Sequence, residues 1–364
     1  MNTKYLIFSD VLITMLFLSL AISSSSTNSS HQKHFPAMYV FGDSLVDSGN
    51  NNYLPIQSNA KFPPYGIDFG GKPTGRYTNG KTVVDYLAIH LGLPLVPPYL
   101  GLSNTQRNKI TTGINFASAG SGILPQTSNG TLSLDKQIKL FRSVIKNNLP
   151  NTFDEKEKLE KHLSESLFVV SDGVNDHFRN GTFVGSTIFA SYLIKQLSIR
   201  LKKIYSLGAR RFFMYNIAPA GCFPSTAARS KPRGKCNEKM NKAISSYNKL
   251  LPTVLEKLQA QLPGFTFMHS DLYESLIYLR KNGHKYGILE TWKPCCPNRI
   301  HGNLKCHPYN ATCPDRNTHL FFDIHPSQIA NQIYATRCFN EKTICKSSLS
   351  NFLSPKIHKH SKNK

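Results

Sequence analysis

The sequence predicts an α/β protein in which a central parallel sheet carries helices on both faces. Short runs of strand-forming apolar residues alternate along the chain with longer stretches of helical apolar spacing. Polar tripeptides bearing reactive side chains follow those runs, where an open α/β sheet presents its site. The 364 residues show no Pro/Gly/Ser-rich linker in the middle and no repeat period, so a single domain is expected.

In chain order, Ala37-Met38-Tyr39-Val40 is the first strand, and it runs into Phe41-Gly42-Asp43-Ser44-Leu45. The Pro/Gly/aromatic stretch from Phe62 to Gly71 is a surface loop or lid. Residues 75–82 match the Walker A pattern letter for letter, and Val83, Val84, Leu87 and Leu91 continue it as a helix. Loop formers precede Gly75 where a phosphate-binding loop needs a buried strand, so no nucleotide is expected. Residues 113–117 read as a strand ending in the small-residue turn 118–122, and residues 133–146 as a helix. Leu167-Phe168-Val169-Val170 is a buried strand that delivers Gly173-Val174-Asn175-Asp176 at its end. Residues 188–207 form a helix closed by Gly208, and residues 211–215 a strand. A long helix over 237–262 stops at Pro263-Gly264, and residues 265–268 make the last strand. His325 opens a final helix over 326–338, with Pro326 in its first turn.

Gly-Asp-Ser after a strand serves equally as a tight turn or helix cap and as a means of lifting one hydroxyl above the sheet edge. Far along the chain, Phe322-Asp323-Ile324-His325-Pro326 sets a carboxylate beside an imidazole. A serine needs a base, and the base a third group to hold it, before it attacks at neutral pH. Ser44, His325 and Asp323 are therefore the candidate nucleophile, base and orienter, and the backbone N–H of Ser44 is one candidate oxyanion donor.

These two ends, with the intervening blocks Asn115-Phe116-Ala117-Ser118-Ala119-Gly120-Ser121-Gly122 and Gly173-Val174-Asn175-Asp176, resemble the GDSL, or SGNH, family of serine esterases and lipases in its plant secreted form. The resemblance runs from about residue 35 to residue 345. It implies a three-layer α/β/α (flavodoxin-like) sandwich of SGNH-hydrolase type. It also assigns the remaining oxyanion donors to a glycine of the second block, Gly120 or Gly122, and to Asn175. In one respect the chain departs from the family, which usually spaces acid and base as Asp-x-x-His. Asp323-Ile324-His325 is one residue shorter, which alters where the carboxylate points. The lack of a second glycine in a Gly-x-Ser-x-Gly around Ser44 argues against an α/β-hydrolase elbow.

The first residues read as an export signal, with Lys4 before a short apolar core from Val11 to Ile22 and small residues after it. The expected organisation is a signal peptide over 1–26, a hydrolase domain over 34–345 and a basic tail over 346–364. All eight cysteines lie in the second half, and an even number in an exported chain points to disulfides. Cys222 with Cys236 would close one local loop. Cys295, Cys296, His301, Cys306, His307 and Cys313 crowd together but lack the paired Cys-x-x-Cys of structural zinc, so no metal and no cofactor are expected. Sequons at Asn28, Asn129, Asn180 and Asn310 fit a secreted glycoprotein.

The net charge of +23 favours acidic partners. Nucleic acid is excluded by the dispersal of that charge and the want of a binding motif. The expected substrate is an acyl ester of a lipid, a cuticular or other wall component, or an acetylated glycan. The alternative is a weak or inactive secreted binding protein that holds acidic polysaccharide or a lipid surface.

Overall fold

The computed structural model describes residues 35–56, 59–179, 182–296, 306–309, 311–341 and 344–346. The expected signal segment, the sequons other than Asn129, His301 and the tail beyond Lys346 lie outside the described residues. Asn129 is exposed.

Four parallel strands form the centre: β1 (Met38–Gly42), β2 (Leu167–Ser171), β3 (Arg211–Tyr215) and β4 (Thr266–Ser270), in that spatial order. β1 and β2 are buried along their whole length, which is why they read as apolar runs, while Arg211, Thr266 and Phe267 at the starts of β3 and β4 are half-buried. The period of two sorts them between layers. Tyr39, Phe41, Phe168 and Phe212 pack with Leu134, Ile138 and Phe141 of helix α2 (Leu134–Asn147), and with α4 (Thr187–Ser206) and α5 (Glu238–Gln261). Met38, Val40, Val169 and Phe213 point the other way, onto α1 (Val83–His90) and α7 (Gln328–Asn340). The result is the expected three-layer α/β/α sandwich. Helix α3 (Lys156–Glu165) precedes β2, and α6 (Leu272–Asn282) follows β4. A separate parallel pair, β5 (Glu290–Pro294) and β6 (His319–Phe321), leads into the histidine loop.

The structure corrects three expectations. Residues 113–117 run beside β1 but form only isolated bridges at Asn115. The Asn115 side chain accepts from Ala117 N and donates to Val46 O in the turn after β1, and Asn50 Nδ2 donates to the carbonyls of Asn115 and Ala117. The backbone groups that face β1 do bond it, Val40 N donating to Ile114 O and Phe116 N to Val40 O, and the ladder is interrupted at Gly42, whose N–H goes to Gln137 Oε1. The strand at 266–270 is not the last, because β7 (Cys345–Lys346) adds an antiparallel edge to β4. Pro326 lies ahead of the final helix: it pairs with Phe321, and Ser327 caps α7 by accepting from Ala330 N.

Among the described residues no strand leads directly into the Walker-like residues 75–82, which follow turns and irregular backbone. Arg76 instead turns inward as a buried bidentate partner of Asp85 in α1, and Thr82 caps that helix. Four disulfides cross-link the described residues: Cys222–Cys236, as expected, Cys295–Cys313, Cys296–Cys306 and Cys338–Cys345. No helix among the described residues is long and apolar enough to cross a membrane.

Candidate active site

Strand β1 ends on Gly42, whose φ of 148° lies in a region that side-chain-bearing residues rarely adopt. A Cβ there would fall 2.0 Å from the Ser171 carbonyl oxygen, so glycine alone lets β1 and β2 stay paired to their tips. The chain then turns tightly. Val46 and Asp47 donate to the Asp43 carbonyl, Asp43 Oδ1 accepts from Leu45 N, and Ser44 is left at the sheet's carboxyl edge, half-buried.

From the other end of the chain, His325 reaches the same place. Its Nε2 stands 2.7 Å from Ser44 Oγ, and its Nδ1 stands 2.8 Å from Asp323 Oδ1. The same carboxylate oxygen accepts the His325 backbone N–H at 2.7 Å. The shortened Asp-x-His spacing therefore does not turn the carboxylate away. One intervening residue suffices because the loop closes on itself, Phe322 N donating to His325 O at 2.9 Å, and main chain and imidazole meet one oxygen. Asp323 is 1% exposed, so its charge meets the imidazole with little solvent screening.

The two glycines of the second block are separated by their surroundings. Gly122 N donates to Ser128 Oγ at 3.0 Å, and a Cβ on Gly122 would meet Thr127 and Asp176. Gly120 is left-handed, with φ of 80°, and lines the cavity beside Ser44 and Asn175. Asn175 Nδ2 donates one hydrogen to Ser121 O at 2.8 Å, which fixes the amide while a second N–H remains on the same nitrogen. Ser44, Asp323, His325, Gly120 and Asn175 thus border one cavity of about 720 Å³, and Gly122 sits behind it.

Sequence reasoning passed over several residues that hold this arrangement. Asp47 accepts from Gly49 N and Asn50 N through Oδ1 and from Ala119 N through Oδ2. With Asn51 Nδ2 donating to Ala119 O, it laces the nucleophile turn to the second block. Asp176 accepts from Ile123 N, Leu124 N and Thr127 Oγ1 and so ties the third block to the second. The density of Asp and Asn just after Ser44 was the available signal, since such side chains bond nearby backbone. Tyr65 gave no such signal. It comes from the supposed lid, and its hydroxyl donates to Asp323 Oδ2 at 2.6 Å. Tyr77 lies against the His325 ring, 5.2 Å between centroids.

Burial dominates the electrostatics behind the site. It pushes the Asp43 carboxyl up to about 7, against the pull of the Leu45 amide and His325. Burial likewise raises Asp47 and Asp176 to about 6, and Asp172 well above the usual carboxylate range.

The chain matches the GDSL-like lipase/acylhydrolase family model over residues 38–337. One Arabidopsis thaliana GDSL esterase/lipase is 39% identical over 350 residues, 92% of this chain and 96% of the relative. GDSL esterase/lipase 7 of the same plant is 37% identical over 348 residues, 91% and 95% of the two chains. A third Arabidopsis GDSL esterase/lipase is 40% identical over 317 residues, 81% of this chain and 83% of its own. The chain belongs to the GDSL lipase/acylhydrolase family.

Proposed function

We propose that this chain, a carboxylic ester hydrolase by family, works through an acyl-enzyme on Ser44 with His325 as base and Asp323 as orienter. The continuous run of hydrogen-bonding distances from Ser44 Oγ through His325 to Asp323 carries the reading. Ser44 Oγ attacks the ester carbonyl carbon while His325 Nε2 takes its proton. The carbonyl oxygen becomes an oxyanion, received by the N–H groups of Ser44 and Gly120 and the free N–H of Asn175. Gly122 is left out because its amide is engaged with Ser128. The tetrahedral intermediate collapses, the C–O bond to the alcohol breaks, and the imidazolium protonates the leaving oxygen. Water then gives its proton to Nε2, its oxygen attacks the acyl carbon, and the carboxylic acid departs as Ser44 Oγ regains the proton. Asp323 holds the imidazole in place and stabilises the transient imidazolium.

The substrates we propose are acyl esters of lipids or of cuticular or other wall components, or acetylated glycans, with the basic surface drawing the enzyme to acidic polysaccharide or anionic lipid. Four disulfides support secretion. The test is fluorophosphonate labelling together with hydrolysis of p-nitrophenyl esters of increasing acyl length, with Ser44→Ala as control. A Ser44-dependent adduct and turnover are expected; folded protein that forms no adduct and cleaves no ester of the series defeats the assignment.

A further inference from the structure

Asp323 presents two oxygens, and they are used differently. Oδ1 accepts both the backbone N–H and the Nδ1 of His325. Oδ2 accepts the Tyr65 hydroxyl, 258 positions away in sequence, at the short distance of a bond to an ionised carboxylate. Two hydrogen bonds on one oxygen leave a carboxylate free to rock about its Cβ–Cγ bond; a third on the other oxygen fixes its plane. Tyr65 is itself held. It is 3% exposed, its ring lies 5.8 Å from those of both Tyr77 and Phe322, Cys306 shares its cavity wall, and Tyr309 N, three positions past Cys306, donates to Pro63 O at 3.0 Å. Cys306 is cross-linked to Cys296, whose N–H donates to Phe322 O, next to Asp323. The aromatic loop, the disulfide and the histidine loop thereby close a ring around the carboxylate.

We propose that Tyr65 is a positioning residue for ester hydrolysis, fixing the plane of the Asp323 carboxylate that orients His325. The inference rests on the Ser44–His325–Asp323 reading. Burial and the neighbouring Asp323 charge push the Tyr65 phenol well up, which keeps its proton in place as the donor.

The test compares wild type, Tyr65→Phe, Asp323→Asn and the double variant on p-nitrophenyl butyrate. In Tyr65→Phe, kcat falls about tenfold with KM within about twofold, as the loss of one buried hydrogen bond implies. The acid limb of kcat/KM also moves to higher pH, because a carboxylate relieved of a donor attracts the imidazolium more strongly. Asp43 and Tyr77 also face His325, and both are common to wild type and variant, so the movement reports Tyr65. In the Asp323→Asn background Tyr65→Phe costs nothing further. An unmoved limb, or an equal cost in both backgrounds, overturns the proposal and makes Tyr65 a cavity wall. Should Tyr65→Phe fail to fold, 3-fluorotyrosine at position 65 keeps the hydroxyl and donates more strongly. It must then move the limb to lower pH, and a fixed limb overturns the proposal. Failure of the underlying reading looks different: wild type itself then lacks a Ser44-dependent fluorophosphonate adduct, and the role of Tyr65 falls with it.

Discussion

Gln137 bonds both backbone groups of Gly42, its Oε1 accepting the N–H at 2.8 Å and its Nε2 donating to the carbonyl at 2.9 Å. Helix α2 thereby grips the last residue of β1 two positions before Ser44. The same Nε2 reaches Ser121 Oγ and Leu132 O, and the side chain is wholly buried. Gln137→Leu keeps the volume and strands these partners, a loss of about 2–3 kcal/mol by urea unfolding. A change below about 0.5 kcal/mol, the size of an ordinary surface substitution, contradicts this account.

Asp323→Asn tests the orienter. An amide at position 323 presents the imidazole with the wrong pattern of donor and acceptor, and turnover should fall by about 10³- to 10⁴-fold with little change in melting temperature. Turnover within about tenfold of wild type would assign the role elsewhere.

Asn175 and the two glycines separate electrostatics from packing. In the proposed mechanism Asn175 donates to the developing oxyanion, so Asn175→Ala should lower kcat by about 10²- to 10³-fold at nearly constant KM. Gly122→Ala should instead fail in stability, since its Cβ would fall 2.5 Å from Thr127 Cβ and 2.7 Å from Asp176 Oδ1. Kinetics and thermal melts on the two variants give opposite patterns if this division is right.

Much of this was legible in the sequence. The strands 167–171 and 211–215 announced themselves because residues buried on both faces of a parallel sheet leave an unbroken apolar run. Ser44 and His325 were paired on chemistry alone, since a serine nucleophile needs a base, and the fold brings them 2.7 Å apart. What the sequence hid was tertiary. Gly120 and Gly122 share one small-residue turn, and they are told apart by tertiary neighbours, the Ser128 hydroxyl on the Gly122 amide and Thr127 and Asp176 around its Cα. The aim of Asp323 depends on a turn bond from Phe322 and on a tyrosine from a distant loop, neither of which leaves a periodic trace.

The disulfides divide by location. Cys338–Cys345 ties the end of α7 to the edge strand β7, spanning seven positions. Cys296–Cys306 spans ten and brings Cys306 to the cavity wall. Loop-closure entropy puts each at about 2.5–3 kcal/mol. Replacing both cysteines of the first pair by serine should lower stability by about that amount and leave kcat alone. The same replacement of the second pair should lower stability and kcat together, as Tyr65 loses its support. Equal kcat in the two double variants would detach the disulfide segment from the site.

The buried carboxylates behind the nucleophile set the direction of the pH dependence of stability. Asp43, Asp47 and Asp176 are raised by burial to about 7, about 6 and about 6, and burial also raises Asp172 well above the usual carboxylate range. Each binds its proton more tightly folded than unfolded, so between about pH 4 and pH 7 the native state holds more protons, and stability falls as pH rises. Their contribution is complete below the unfolded value near 4 and is lost as pH climbs through the folded values. A single group raised by two units contributes about 2–3 kcal/mol. For a chain of this size the melting temperature at pH 5 should exceed that at pH 8 by about 5 °C or more. Asp172→Asn removes one titrating charge at nearly constant shape and should flatten the slope. A melting temperature that holds level or rises from pH 5 to pH 8, or a slope unchanged in Asp172→Asn, would show that these carboxylates are ionised at little cost, and hence that water reaches them.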